Sequence, residues 1–305
     1  MLWFNKIIAS VLPHVPKRIV WIVSRRYIAG TTLGDAERAA RKLNGDGCRV
    51  TIDLLGEFIT TLEQAEENRR EYLGIIEHME RAGIRGNYSL KPTMFGLLLD
   101  ETECRRMVRD VVAKAAEHGN FVRVDMEDSQ CVDMEIAMFR ELKKEFPDNV
   151  GLVVQAYLRR TAGDLESMMD LHSEARPLSF RLCKGIYVES PEVAYQDGAE
   201  INRCFLEDLD FLLGRGVFVG IATHDPKLVE GAYRLIEKHS VPKDGYEFQM
   251  LYGVTPALRQ SVIDAGHRMR VYVPFGSQWF AYSTRRLKEN PNMASHIMKS
   301  LLVRG

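Results

Sequence analysis

The chain has 305 residues, 46% of them hydrophobic and 27% charged, and its formal net charge is −1. That is a globular composition, long enough for one barrel or two smaller domains, and it gives a nucleic-acid partner no electrostatic support. Five cysteines (Cys48, Cys104, Cys131, Cys183, Cys204) form no CxxC and cannot all pair, which fits a reducing compartment, and no apolar run approaches a membrane span.

The first element is basic. Met1–Gly34 carries Lys6, Lys17, Arg18, Arg25 and Arg26 and no acid. Trp3, Phe4, Ile7, Ile8, Val11 and Leu12 recur near helical spacing until Pro13 and Pro16 interrupt them. The interruption is too early for a signal peptide. Two readings fit: a basic amphipathic segment on an anionic membrane surface, or a helical segment over residues 1–46 packed on the main domain.

From residue 48 one rhythm repeats. Short β-branched runs, Arg49–Leu54, Tyr88–Lys91, Phe121–Met126, Leu152–Tyr157, Ser179–Lys184, Val217–Thr223, Glu247–Tyr252 and Arg270–Pro274, alternate with helix-like stretches. The latter are Thr61–Ala82, Glu101–His118, Met134–Glu145, Pro191–Leu213, Pro226–Lys238 and Pro256–Ala265. Eight such units predict a (βα)8 barrel spanning 47–293, with a tail over 294–305, and no GxGxxG supports a dinucleotide fold.

A barrel of this kind builds its site at the C-terminal strand ends. Polar residues collect there in sequence: Asp53 and Glu57, Lys91, Asp125 and Glu127, Gln155 and Tyr157, Arg181 and Lys184, Thr223 and His224, Glu247 and Gln249, and Tyr272. One charged strand end is commonly a salt bridge, whereas eight in order point to a site. The acids at 125, 127 and 128 would suit a hard cation or the balancing of nearby Lys and Arg. Charge balance is preferred, because no second acidic cluster or His set completes a metal shell. Lys184 before Gly185 admits a phosphate contact or a Schiff base, the latter making an aldolase an alternative.

After the last strand comes Tyr282-Ser283-Thr284-Arg285-Arg286-Leu287-Lys288-Glu289. On a helix Tyr282, Arg285, Arg286 and Glu289 share one side. Alone this is much more often a solvated ion pair. Over a barrel mouth, two guanidiniums suit a carboxylate, and Lys91 would add a third cation.

Six ordered motifs carry a resemblance: Val124-Asp125-Met126-Glu127-Asp128-Ser129, Arg181-Leu182-Cys183-Lys184-Gly185-Ile186-Tyr187, Ala222-Thr223-His224, Glu247-Phe248-Gln249-Met250-Leu251-Tyr252-Gly253, Tyr272-Val273-Pro274-Phe275-Gly276 and Arg285-Arg286-Leu287-x-Glu289-Asn290. Over roughly residues 27 to 293 the chain resembles the monofunctional bacterial proline dehydrogenases, with no aldehyde dehydrogenase half. The resemblance implies a distorted (βα)8 barrel with its final helix over the mouth. It implies noncovalent FAD and oxidation of L-proline to Δ1-pyrroline-5-carboxylate, the first step of proline catabolism to glutamate. A membrane quinone would be the electron acceptor and pyrroline-5-carboxylate dehydrogenase the functional partner. Residue by residue, it assigns catalytic roles to Asp125 and Arg181. It assigns the proline carboxylate to Lys91, Arg285 and Arg286, with Glu289 pairing the Arg layer and Tyr272 and Tyr282 walling the ring. Met126, Gln155, Arg181, Lys184, Gly185, Ile186, Thr223 and His224 correspond to flavin contacts. Ile186 and Cys183 stand where many relatives have Ala and Val, which alters flavin packing. The expected location is cytoplasmic, with peripheral contact on the inner face of the membrane.

Overall fold

The computed structural model describes residues 17–56, 59–280 and 282–283. Eight parallel strands close into a barrel in sequence order: β1 (Arg49–Leu54), β2 (Gly86–Leu90), β3 (Val122–Val124), β4 (Val150–Gln155), β5 (Ser179–Cys183), β6 (Phe218–Ala222), β7 (Tyr246–Leu251) and β8 (Met269–Phe275). The last pairs with the first, Thr51 beside Tyr272 and Asp53 beside Pro274.

Two helices precede the barrel, α1 (Lys17–Ser24) and α2 (Leu33–Gly45). Around it run α3 (Leu62–Arg81), α4 (Glu101–Glu117), α5 (Val132–Glu145), α6 (Thr161–Ser167), α7 (Gly198–Leu213), α8 (Pro226–Lys238) and α9 (Pro256–Asp264). Their starts follow capping chemistry. Thr32 and Asp35 form a reciprocal capping box on α2, and Asp100, Asp197 and Asp225 cap α4, α7 and α8.

Strand boundaries differ from the sequence expectation by a few residues. β3 stops at Val124, so Asp125 and Met126 lie just beyond it, because only three residues there match a neighbour's register. The stretch expected as helix from Pro191 begins at Gly198, where Asp197 caps it; Ala194 instead forms an antiparallel bridge with Leu158. The short α6 had no periodic signal long enough to be read.

The strand alternation is inverted relative to a half-exposed sheet. Val50, Ile52, Val124, Phe180, Leu182, Phe248, Val271 and Val273 are buried in the hydrophobic core between sheet and helices. Phe180 meets Phe139 of α5 and Phe248 meets Tyr233 of α8, at ring-centroid separations of 5.8 and 5.4 Å. The opposite faces fill the lumen with polar groups: Thr51 bonds Asn87, Arg123 bonds Ser179, Arg270 bonds Glu247, and Arg181 bonds Gln249. Two lumen positions are glycine because those groups need the volume. A Cβ on Gly151 would lie 2.3 Å from Arg123 Nη1 and 2.5 Å from the Ser179 carbonyl, and one on Gly220 would lie 2.4 Å from Gln249 Nε2.

At the mouth, the segment after α1 crosses the strand ends. Ala29 donates to the Pro274 carbonyl and Gly276 to that of Gly30. Trp21 of α1 packs on Trp279 with ring centroids 4.7 Å apart, and Lys17 sits over Phe280. Part of the basic N-terminal segment is therefore packed against protein; residues 1–16 lie outside the described residues.

The lumen packing predicts that Gly151→Ala destabilises the fold by about 1–3 kcal/mol, since its Cβ meets backbone that cannot yield cheaply. Urea unfolding checks this; an unchanged midpoint would mean the Arg123 layer is looser than described.

Candidate active site

The strand ends converge on one carboxylate. Asp125, just past β3, accepts 2.9 Å bonds from Arg181 Nη1 and from Tyr272 Oη, and a 2.5 Å bond from Ser89 Oγ. Lys91, the residue after β2, donates to Asp53 Oδ1 at 2.9 Å and stands 3.7 Å from Asp125 Oδ2. Arg181 also donates from Nε to Gln249 at 2.6 Å, and its guanidinium carbon lies 5.0 Å from the Tyr272 ring centroid. Five strands thus hold one ionic centre, and lumen-facing alternation puts it there: Ser89 and Lys91, Arg123 and Asp125, and Arg270 and Tyr272 are each two residues apart.

Burial penalises every charge in this centre, and pairing decides which survive. For Asp125, burial pushes the carboxyl up, but Arg181, Lys91 and the bonds from Ser89 and Tyr272 outweigh it and hold it below the usual range. For Lys91, burial is outweighed by Asp53, Tyr272 and Asp125, so the ammonium is held well above its ordinary value. Burial and the nearby Asp125 raise Asp53 against the pull of Lys91. Tyr272 is raised by burial and the two aspartates, so it donates as a neutral phenol.

The remaining expected residues form a second group on the β4–β6 side. Lys184 Nζ donates to Asp225 Oδ2 at 2.9 Å, and Asn202 joins at 3.1 Å. His224 Nε2 accepts the Leu251 amide, while Thr223 Oγ1 accepts that of Asp225. Gln155 is buried and donates to the Glu127 carbonyl. Gly185 has φ +110°, and a Cβ there would meet the Tyr157 ring at 2.1 Å. Met126 is buried beside these groups in sequence, and Ile186 is half-buried.

Other placements depart from the sequence reading. The sequence places Glu247 among the mouth groups, but it is the second residue of β7 and pairs with Arg270 near the opposite pole. Glu127 does not share the Asp125 centre; its carboxylate accepts from Thr93 N and Oγ1. The cluster of acids therefore splits toward different partners. Tyr282 packs with Ile28 and Leu55 under Trp279. Arg285, Arg286, Glu289 and Glu57 lie outside the described residues. Sequence reasoning missed Ser89, which bridges Asp125 and Arg181, and Asp225 and Asn202, which hold Lys184. The two-residue spacing of Ser89 from Lys91 was the available signal.

Buried polar atoms at this mouth remain without a partner, Arg181 Nη2 and Asp53 Oδ2 among them. An unbonded buried guanidinium donor fits a ligand with acceptor atoms, as an isoalloxazine ring has. The positive-φ Gly185 lets a planar group approach backbone closely.

Comparison with known proteins agrees along nearly the whole chain. A sequence-family profile described as proline dehydrogenase matches residues 36–299. The chain belongs to the proline dehydrogenase family. It is 36% identical over 297 residues to a proline dehydrogenase of Deinococcus radiodurans, covering 95% of this chain and 93% of the relative. It is 35% identical over 279 residues to proline dehydrogenase 1 of Bacillus subtilis, covering 92% and 90%. Among solved structures, proline utilization A from Bdellovibrio bacteriovorus aligns with a TM-score of 0.85 at 24% identity. That match covers 94% of this chain but only 36% of that longer protein, and it bears on the fold.

The pairing around Asp125 sets a pH dependence. A carboxyl held below its unfolded value of about 3.9 contributes stability that is complete above roughly pH 5 and is lost as pH falls through the folded value. Asp125→Asn is expected to cost about 3–5 kcal/mol at neutral pH, because Arg181 and Lys91 lose their shared counter-charge. It should also flatten the acid limb of stability against pH. Wild-type and variant limbs of equal slope, measured by urea unfolding from pH 3 to 7, would refute the pairing.

Proposed function

We propose that this chain is an FAD-dependent proline dehydrogenase that oxidises L-proline to Δ1-pyrroline-5-carboxylate and passes electrons to a membrane quinone. The observation that carries the reading is the Asp125–Arg181–Lys91–Tyr272 centre at the barrel mouth, its two cations buried, in a chain whose family and near relatives bear that name.

The substrate is a carboxylate with a ring C–H to be lost as hydride. FAD, bound noncovalently, supplies the hydride acceptor, and the protein supplies position and electrostatics. Arg181 would stand beside the flavin, its unbonded Nη2 available to the ring and its Nε fixed by Gln249. A cation there favours added negative charge on the reduced ring. Lys184, Gly185, Ile186, Thr223, His224, Gln155 and Met126 would hold the rest of the cofactor. Lys184 is committed to Asp225, away from Asp125, which favours a positioning role over Schiff-base chemistry.

Lys91 stays protonated between Asp53 and Asp125. With Arg285 and Arg286 from the helix after β8, it would hold the proline carboxylate and aim the ring carbon, which is catalysis by orientation. Glu289 would pair with the Arg layer. Tyr272 would stack beside the ring with its hydroxyl anchored on Asp125. The family relation to longer bifunctional proteins such as PutA of Escherichia coli, of which this chain covers 23% of the length, suggests pyrroline-5-carboxylate dehydrogenase as the consumer of the product. For the N-terminus we propose contact with the quinone-bearing membrane.

The purified protein should show flavin bands that bleach on adding L-proline and return with a quinone analogue. A colourless protein, or flavin unmoved by proline, would end this reading. Arg285→Met and Arg286→Met should each raise the proline KM roughly tenfold or more with flavin retained, as for loss of a charge-assisted bond. Unchanged KM in both would place the carboxylate elsewhere.

A further inference from the structure

The N-terminal ends of the strands surround a cavity of about 490 Å³, at the pole opposite Asp125. Five cations line it, Arg49, Arg85, Arg123, Lys143 and Arg270, against two carboxylates, Glu247 and Asp148. Glu247 is already engaged by Arg270 and Gln249. Arg49, Arg85 and Arg123 form no ion pair with a carboxylate among the described residues, and Glu247 attracts Arg49 and Arg123 only at longer range. Arg85 bonds the Asn44 carbonyl, and Arg123 bonds Ser179 and the Leu152 carbonyl, all neutral. The Arg49 side chain makes no hydrogen bond or ion pair among the described residues. Arg49 and Arg270 are also register partners on adjacent strands, where like charges repel. The Nε of Arg123, on a side chain only 2% exposed, has no partner.

We propose that this cavity at the base of the barrel is an anion site for a small polyanion, a molecule carrying two or more phosphate or carboxylate groups. Arg forks match both oxyanions bidentately. The cations come from several chain segments around the barrel base, and a polyanion can engage more of them than a single oxyanion can. The volume is in the small-molecule range, and Phe121 and Phe218 add apolar wall. The resting state shows the repulsion that an anion would relieve. Partial burial and the guanidiniums of Arg268 and Arg270 hold Arg49 below its ordinary range, and full burial with Arg181 and Arg270 does so for Arg123, in both cases against the pull of Glu247. The site lies at the opposite pole from the mouth, and its argument does not rest on the proposed oxidation.

The test is calorimetric titration of the full-length protein, saturated with FAD so that its flavin site is filled. Pyrophosphate and citrate are the probes, with sodium chloride at matched ionic strength as the control. Saturable binding of either probe is expected, and which one binds separates phosphate from carboxylate ligands. Arg49→Gln should weaken that binding roughly tenfold, and Arg49→Gln with Arg85→Gln should abolish it, on the scale of lost charge-assisted contacts. Turnover of proline should be unchanged, which reports that the variants are folded. Arg49 is exposed, so the single variant serves if the double one fails to fold. Binding of neither probe, or binding undiminished in Arg49→Gln, overturns the proposal.

Discussion

The structure depends on a lumen filled with charge. A hydrogen-bonded chain runs along it from base to mouth. Arg270 and Gln249 both donate to Glu247, Arg181 donates to Gln249 and to Asp125, and Lys91 joins Asp125 to Asp53. Every member but the half-buried Asp125 is buried, and an unpaired charge at that depth would cost several kcal/mol. The members therefore fix one another. That explains why the apolar stabilisation lies outside the strands, between sheet and helices, and why glycine occupies Gly151 and Gly220.

The same chain orders the mouth. Arg181 has no freedom to choose a rotamer, because Gln249 takes its Nε while Ser89 and Asp125 take Nη1. Gln249 is in turn held by Glu247 and given room by Gly220. Precision at the site is thus produced two layers below it, by residues that touch no ligand on the proposed reading. Second-layer support of this kind is what pre-organised electrostatic catalysis needs.

Much of this was legible in the sequence because two periodicities were clean. Strand and helix runs alternated along the chain, and within strands polar residues recurred every second position, as in Thr51 and Asp53 or Glu247 and Gln249. The eight strands followed, and with them the strand ends at which the candidate residues sit. What sequence could not show was depth. Glu247 and Gln249 share a strand face, yet one belongs to the base and the other supports the mouth, because register across β6–β8 and not spacing decides height. Nor could it show that Glu127 turns to Thr93 while Asp125, two residues earlier, turns inward: β3 ends between lumen and loop at that point. Ser89 was overlooked because an isolated serine in a strand carries no signal until its neighbour across the barrel is known.

The charge count at the mouth bears on how a substrate carboxylate is held. Lys91 and Arg181 meet Asp53 and Asp125, two cations against two anions, so the described centre is already balanced. A carboxylate brought to this group alone would face as much repulsion as attraction. Lys91 can contribute a donor and a direction, but the net positive charge has to come from elsewhere. On the proposed reading it comes from Arg285 and Arg286, which follow the helical residues Trp279–Phe280 and Tyr282–Ser283. The packing of Trp21 on Trp279, and of Tyr282 on Ile28 and Leu55, then has a purpose beyond burial. It ties the helical residues Trp279–Phe280 and Tyr282–Ser283 to the N-terminal segment through contacts outside the barrel, while the charge balance of the centre is set by the lumen.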